Sequence, residues 1–159
     1  MDRRISVVIK RILPVDRPDW SRLVEESLHE HYRHIERMAE EFTTGANRFD
    51  RLGEALFGAY RDGQLVGIGG LNRDPYGEAQ NSVGRVRRVY VSPSCRGTGI
   101  ALLLMETIIR EARLHFQVLT LRTDNPIAER LYRKLGFVVT DAYLSSTHVL
   151  TLDDVAVEE

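Results

Sequence analysis

The sequence predicts an α/β fold class, and three observations predict it. Strand-like runs at 5–13, 54–61, 64–71, 83–91, 117–122, 137–143 and 147–152 alternate with helical patterns at 16–41, 100–116 and 127–135. Two of the runs are separated only by Asp62-Gly63, a dipeptide that closes two-residue hairpins. The run at 83–91 passes through a glycine-rich turn straight into the apolar helical pattern that starts at Ile100. At 159 residues, 43% hydrophobic and 28% charged, the chain suits a single globular domain over 1–159. A net charge of -1 without a basic run offers no electrostatic footprint for nucleic acid. The N-terminal apolar run is broken by Lys10 and Arg11, so it reads as neither signal peptide nor membrane span, and a cytoplasmic location is expected.

Taken in order, residues 5–13 are rich in β-branched side chains and stop at Pro14, the pattern of a first strand. Asp16 and Pro18 open a helical pattern in which Val24, Leu28, His31, Ile35, Met38 and Phe42 recur at spacings of four and three. That stripe should pack on a sheet. No Gly or Pro interrupts it, so one helix running on to residue 41 is expected. His29, His31 and His34 lack the i, i+4 pairing of two ligands on one helical face, and no metal is expected. After the hairpin, residues 72–82 are too rich in turn formers for regular structure.

The strand at 83–91 carries a conflict. Simple alternation puts Arg85 and Arg87 on one face with Val89 and Val91, and Val86, Arg88 and Tyr90 on the other. A β-bulge would reconcile them. Beyond it, Leu104, Ile108, Ala112 and His115 or Phe116 fall on one face of the helix at 100–116. Asn125 is placed as an N-cap with Pro126 at the first helical position, and Gly136 stops that helix. Ile127, Leu131 and Leu135 form an apolar stripe on it, beside a face made by Asn125, Ala128 and Tyr132.

The turn between Val91 and Ile100 is where chemistry is expected. A helix start leaves its first N–H groups without internal partners and carries partial positive charge, which suits a phosphate. Gly97 and Gly99 keep Cβ atoms away from the amides of Gly97 to Ala101, and Arg96 adds a permanent cation. No Lys follows the glycines as in a Walker loop, and Leu102 stands where a dinucleotide fingerprint needs a small residue. Cys95, the only cysteine, lacks an identifiable His partner and reads as a poor nucleophile candidate.

As R-x-x-G-x-A, Arg96-Gly97-Thr98-Gly99-Ile100-Ala101 resembles the pyrophosphate loop of the GNAT family of N-acetyltransferases, which bind acetyl coenzyme A (acetyl-CoA) there. Val89-Tyr90-Val91-Ser92-Pro93 is similar to the end of that family's central strand. A second stretch, Asn125-x-x-Ala128-x-x-Leu131-Tyr132-x-Lys134-Leu135-Gly136-Phe137, resembles the family's N-x-x-A-x-x-L-Y-x-K-x-G-F segment. The resemblance spans residues 54–153, and 5–42 only in element order. It implies a mixed, mainly antiparallel sheet of about seven strands with helices on both faces, and, for the region read here as one helix over 16–41, usually two helices whose junction shapes the acceptor pocket. It also implies a central strand that splays from its neighbour, so that the backbone of Val89, Tyr90 and Val91 meets the pantetheine arm and thioester. Asn125 matches a pantetheine contact, Ala128 allows close approach, Lys134 completes the motif, and Tyr132 lies beside the sulfur as a general acid.

The reaction so implied is acetyl transfer from acetyl-CoA to a primary amine by direct attack in a ternary complex. Its acceptor would be a small-molecule or peptide amine, and a homodimer is left open. Glu54, Asp74 and Glu78 are weak candidates for the base, because the family often places an acid where this chain has Val83-Gly84-Arg85. The alternative is a non-catalytic acyl-CoA sensor, and a scaffold that binds no coenzyme is a third reading.

Overall fold

The computed structural model describes residues 7–76 and 82–152. Its elements are β1 (Val7–Arg11), α1 (Ser21–His29), α2 (His34–Thr44), β2 (Ala55–Arg61), β3 (Gln64–Arg73), β4 (Val83–Val91), α3 (Ile100–Arg113), β5 (Val118–Leu121), α4 (Pro126–Lys134), β6 (Val138–Val139) and β7 (His148–Thr151). The strands form one sheet in the order β1-β2-β3-β4-β5-β7-β6. Every neighbouring pair is antiparallel except β4 with β5, which are parallel and joined through α3. The β2–β3 hairpin turns at Asp62 and Gly63, with φ of 52° and 82°, and Arg61 stands opposite Gln64. Positive φ at both central residues matches the twist of the two strands.

Helices cover both faces. On one, Ile100, Leu104, Met105, Ile108, Ile109 and Ala112 of α3 pack with Val86, Val91, Leu119, Leu121 and Phe137. On the other, Leu23 of α1 and Ile35, Met38 and Phe42 of α2 pack with Leu56, Ile68 and Tyr90. Each fully buried aliphatic side chain contributes about 1.5–3 kcal/mol, so the two cores clamp the sheet from both sides.

Four sequence expectations change. The first helix is broken: α1 ends at His29 and α2 begins at His34, with His31 at φ 62° between them. The Ser27 carbonyl accepts the N–H groups of both Glu30 and Tyr32, at 3.0 and 2.9 Å, which ends the ladder without Gly or Pro. The stripe continues in α2, but in α1 the fully buried positions are Leu23 and Ser27, while Leu28 is partly exposed and His31 lies outside the core. On α4, Ile127 is 74% exposed, because the packed face is Ala128, Leu131, Tyr132 and Leu135. Ile127 lies about 100° around the helix from Ala128. Lastly, the run at 137–143 yields only two residues of strand. Thr140 then donates to the Thr147 carbonyl at 2.9 Å and turns the chain back. Ile5 of the expected first strand, Glu78 and the tail from 153 lie outside the described residues.

Candidate active site

The site is organised by a defect in β4. Tyr90 pairs with Ile68 and Arg87 with Gly70, so Arg88 and Val89 together face the single residue Gly69. Arg88 takes φ 62° to make this bulge. The expected conflict of faces is thereby resolved: Val86, Val89 and Val91 join the α3 core, while Tyr90 joins the α1–α2 core. Arg88 reaches α2, where it donates to His34 Nδ1 at 3.0 Å and Glu41 Oε1 at 3.3 Å.

The second feature is a split. β4 and β5 pair only at Val83–Val118, Gly84–Leu119 and Arg85–Thr120, although β4 continues to Val91. From Val86 onward the edge of β4 toward β5 has no strand partner, and a wedge opens there.

The turn after β4 carries the start of α3 beside that wedge. The helix ladder begins with Leu103 N–H to the Gly99 carbonyl at 3.0 Å, so the amides of Ile100, Ala101 and Leu102 have no partner inside the helix. Gly97 and Gly99 have φ of 78° and 88°, and a Cβ at either would meet nothing within 4 Å. Open space therefore lies in front of the turn. Thr98 Oγ1 donates to the Cys95 carbonyl at 2.5 Å and tightens it. Ile100 is buried in the α3 core and Ala101 packs partly against it. These backbone groups, open in front and rigid behind, fit a pyrophosphate.

α4 follows β5, and its Ala128, Leu131, Tyr132 and Leu135 pack into the α3 core. Asn125 Oδ1 accepts the N–H groups of Ile127 and Ala128, at 2.9 and 3.2 Å, and its Nδ2 is a donor with no partner among the described residues. Tyr132 is 8% exposed, packs on the Phe137 ring at 5.8 Å, and makes no hydrogen bond to a described residue. Only Glu26 Oε1 and Arg88 Nε are both sealed and unpaired among the described residues, so the Tyr132 hydroxyl keeps contact with the surface. Burial, with a smaller contribution from Tyr32, pushes its phenol up to about 12. Tyr32 belongs to the turn between α1 and α2 and stacks on Tyr90 at 5.9 Å. Lys134 is exposed at the end of α4.

The GNAT acetyltransferase family profile matches residues 17–137. The chain belongs to the GNAT family. N-alpha-acetyltransferase RimI of Mycobacterium tuberculosis is 36% identical over 80 residues, 50% of this chain and 49% of RimI, so the match spans about half of that relative's length. A protein of Exiguobacterium sp. 255-15 assigned as an acetyltransferase is 33% identical, with a TM-score of 0.81 over 95% of this chain and 94% of its own. The fold is shared with yncA of Salmonella typhimurium, solved with its cofactor acetyl-CoA: TM-score 0.69 at 19% identity, over 97% and 98% of the two chains.

Within this GNAT domain the two described acids singled out from sequence, Glu54 and Asp74, are buried and bonded to protein donors. Glu54 is 2% exposed, and its two carboxylate oxygens accept the backbone N–H groups of Arg51 and Arg73, at 3.3 and 3.0 Å. Asp74, also 2% exposed, accepts from the Tyr76 N–H at 2.8 Å and the Thr120 hydroxyl at 3.0 Å. Arg96 turns to the α1 side: Nη1 and Nη2 donate to Glu30 at 2.8 and 2.7 Å, and Nε to the Val91 carbonyl at 3.1 Å. Cys95 is 4% exposed and belongs to the α3 core.

Sequence reasoning missed the side chains that the α1–α2 turn brings to the site. Glu30 accepts the Tyr90 hydroxyl at 2.6 Å, and Arg96 first, then Tyr90, holds its carboxyl down at about 2. Burial raises the Tyr90 phenol, and Glu30 raises it further. His34 is held below its ordinary value by burial and then by Arg88. Because guanidinium only donates, His34 Nδ1 is the acceptor, and the ring is neutral with its proton on Nε2. The one available signal was the helical run's loss of apolar character at Glu30-His31.

Among the described residues, no helix is long and apolar enough to cross a membrane, and no cluster of three His, Cys, Asp or Glu side chains is placed to hold a metal ion.

Proposed function

We propose that this chain transfers the acetyl group of acetyl-CoA to a primary amine, by direct attack in a ternary complex. The observation that carries this reading is the wedge between β4 and β5, beside the open Gly97–Gly99 turn and the unpaired α3 amides. Acetyl-CoA supplies the activated acyl group. The turn takes the pyrophosphate, Asn125 Nδ2 and the free edge of Val89 to Val91 take the pantetheine arm, and Tyr132 stands as proton donor to the leaving sulfur. Holding the two reactants in line contributes up to roughly 7–11 kcal/mol of the barrier, so little covalent chemistry is asked of the protein.

The amine must lose a proton before it attacks. Glu54 and Asp74 already hold protein donors on their oxygens, Glu30 is too weak a base with its carboxyl at about 2, and His34 Nδ1 is occupied by Arg88. We assign the step to water. A coenzyme sensor is the weaker alternative, because it would have no use for a Tyr132 phenol that has no hydrogen-bond partner among the described residues.

RimI's description as an N-alpha-acetyltransferase puts α-amines first among acceptors to try. The test is calorimetric titration with acetyl-CoA, followed by thiol-release assays on an amine panel. Micromolar binding with amine-dependent thiol release supports the reading. Binding without release for any amine would favour the sensor, and no binding would remove both.

A further inference from the structure

The bulge in β4 gathers positive charge. Arg85 stands opposite Asn72 and Arg87 opposite Gly70, and a Cβ on Gly70 would strike the Phe49 ring of the α1–α2 core. Directly opposite residues share a face, so Arg85 and Arg87 emerge on the α1–α2 side. The bulge turns Arg88 to that side too, where it reaches His34 and Glu41 of α2. Two of the three are anchored. Arg85, 6% exposed, donates to Ser146 Oγ and the Ser145 carbonyl, both at 2.8 Å, and lies 4.7 Å from the Tyr76 ring. Arg88, 8% exposed, keeps its Nε sealed and without a partner among the described residues.

Arg87 lies between them, half-buried, with no hydrogen bond or ion pair to any described side chain. Burial weakens proton binding at Arg85, Arg88 and His34, and the charge of Arg87 weakens each further. Arg37 acts on Arg88 and His34, and Arg122 on Arg85. Against these five guanidinium groups stand the carboxylates of Asp74, Glu41 and Asp124. A half-buried cation crowded by like charges raises the energy of the free protein, and an anion docking on it relieves that cost.

We propose that the acceptor is an amine that also carries a carboxylate, and that Arg87 takes that carboxylate while Arg85 and Arg88 hold the field on either side. This deepens the acetyl-transfer reading and rests on it. Placement supports it. Pairing with β5 ends at Arg85, so Arg87 stands at the start of the wedge, two residues along the same strand from Val89, roughly 7 Å of chain. A carboxylate held there leaves its amine close to the free edge of β4. The carboxylate could belong to a free amino acid or to an acidic peptide N-terminus, and Arg87's fork of donors suits either.

The test uses acceptor pairs that differ only in the carboxylate: glutamate against glutamine, aspartate against asparagine, an amino acid against its amide, and an N-terminal acidic tetrapeptide against its Asn/Gln counterpart. Wild type, Arg87→Ala and Arg87→Lys are compared, each first titrated with acetyl-CoA. The expected result is at least a tenfold preference in kcat/KM for the carboxylate member of one pair, residing in KM. Arg87→Ala should shrink it to within about twofold, and Arg87→Lys should restore it in part, with acetyl-CoA affinity unchanged throughout. Whether the amino-acid or peptide pair shows the preference identifies the source of the carboxylate. Because Arg87→Ala removes repulsion, its Tm should equal or exceed that of wild type. Equal use of neutral members, or a preference that survives Arg87→Ala, overturns the proposal. If acetyl-CoA fails to bind, the acetyl-transfer reading falls instead. Calorimetry with glutamate and aspartate alone then still decides the carboxylate site, since absent or Arg87-independent binding overturns it.

Discussion

Glu30 and Arg96 tie the two halves of the site together. The carboxylate closing α1 takes both Nη atoms of the arginine that opens the coenzyme turn, at 2.7 and 2.8 Å. Glu30 also holds the Tyr90 hydroxyl, so the turn carrying Tyr32 is fixed to β4 and to the start of the turn before α3. The first prediction is that Glu30→Gln and Arg96→Ala act alike: acceptor KM rises several-fold, acetyl-CoA affinity changes little, and the double variant is no worse than either single one. Both side chains are more than a third exposed, so the stability cost should be small, about 0.2–1 kcal/mol. Its pH dependence has a definite sign. The folded carboxyl is depressed from 4.5 to about 2, so the wild-type advantage over Glu30→Gln is whole above about pH 4.5 and disappears as pH falls through 2. Thermal unfolding across pH 2–6 checks it, and a gap that widens on acidification would contradict it.

The same pair shows why the sequence was legible in some places and not in others. Asp62-Gly63, Pro126 and Gly136 act through their own backbones and Asn125 through a side-chain cap on its own helix, and each appears where local rules put it. Val83–Val91 matched the expected strand residue for residue, and its clash of faces pointed to the bulge. The break between α1 and α2 carries no Gly or Pro to mark it in this chain's residues, and Glu30 beside it is held by Arg96 and Tyr90, sixty or more residues away. In the run of alternating charges around it, nothing marks that one glutamate as different. Glu54 and Asp74 are the converse case. Their residue type suggested a base, yet their burial and backbone partners, which composition does not reveal, give them structural bonds.

For the coenzyme turn, Gly99→Val should weaken acetyl-CoA binding more than tenfold by calorimetry. Two effects must be separated, since Gly99 has φ 88° and a side chain there is strained whatever the space. Gly63 provides the control: φ 82°, nothing within 4 Å of its Cβ, and a place in the β2–β3 hairpin, outside the Gly97–Ala101 stretch whose amides would meet the phosphate. Gly63→Ala should lower Tm without touching coenzyme affinity. Gly99→Ala should lower Tm comparably and also weaken binding. Equal affinities for the two alanine variants would remove the phosphate assignment.

Deprotonation by water predicts a simple pH profile. With no side chain as base, kcat/KM should rise tenfold per pH unit below the amine's own pKa and level off only there. Acceptors of lower amine pKa should level off correspondingly earlier. A plateau beginning near pH 6–7 for every acceptor would instead reveal a titrating side chain. His34 would then be the first to replace, with Arg88→Met alongside to free its Nδ1.

Tyr132 is where the family motif and the geometry meet. Its ring is fixed by burial against Phe137, and its hydroxyl has no hydrogen-bond partner among the described residues. With a phenol pushed up to about 12, Tyr132 stays protonated through the working pH range, as a proton donor must. The same shift makes it a reluctant acid. A coenzyme thiolate, of pKa about 8.5, is already a tolerable leaving group, so the contribution should lie at the low end of the 10²–10⁴-fold typical of positioned acids. Phe keeps the ring and its packing and removes only the O–H. Tyr132→Phe should therefore lower kcat roughly 10- to 100-fold with acetyl-CoA affinity and Tm almost unchanged, the pattern of an interaction made chiefly in the transition state. Single-turnover measurements must first establish that chemistry limits the rate. If chemistry limits and kcat is unaltered, Tyr132 is a packing residue of α4 and the departing sulfur takes its proton from water.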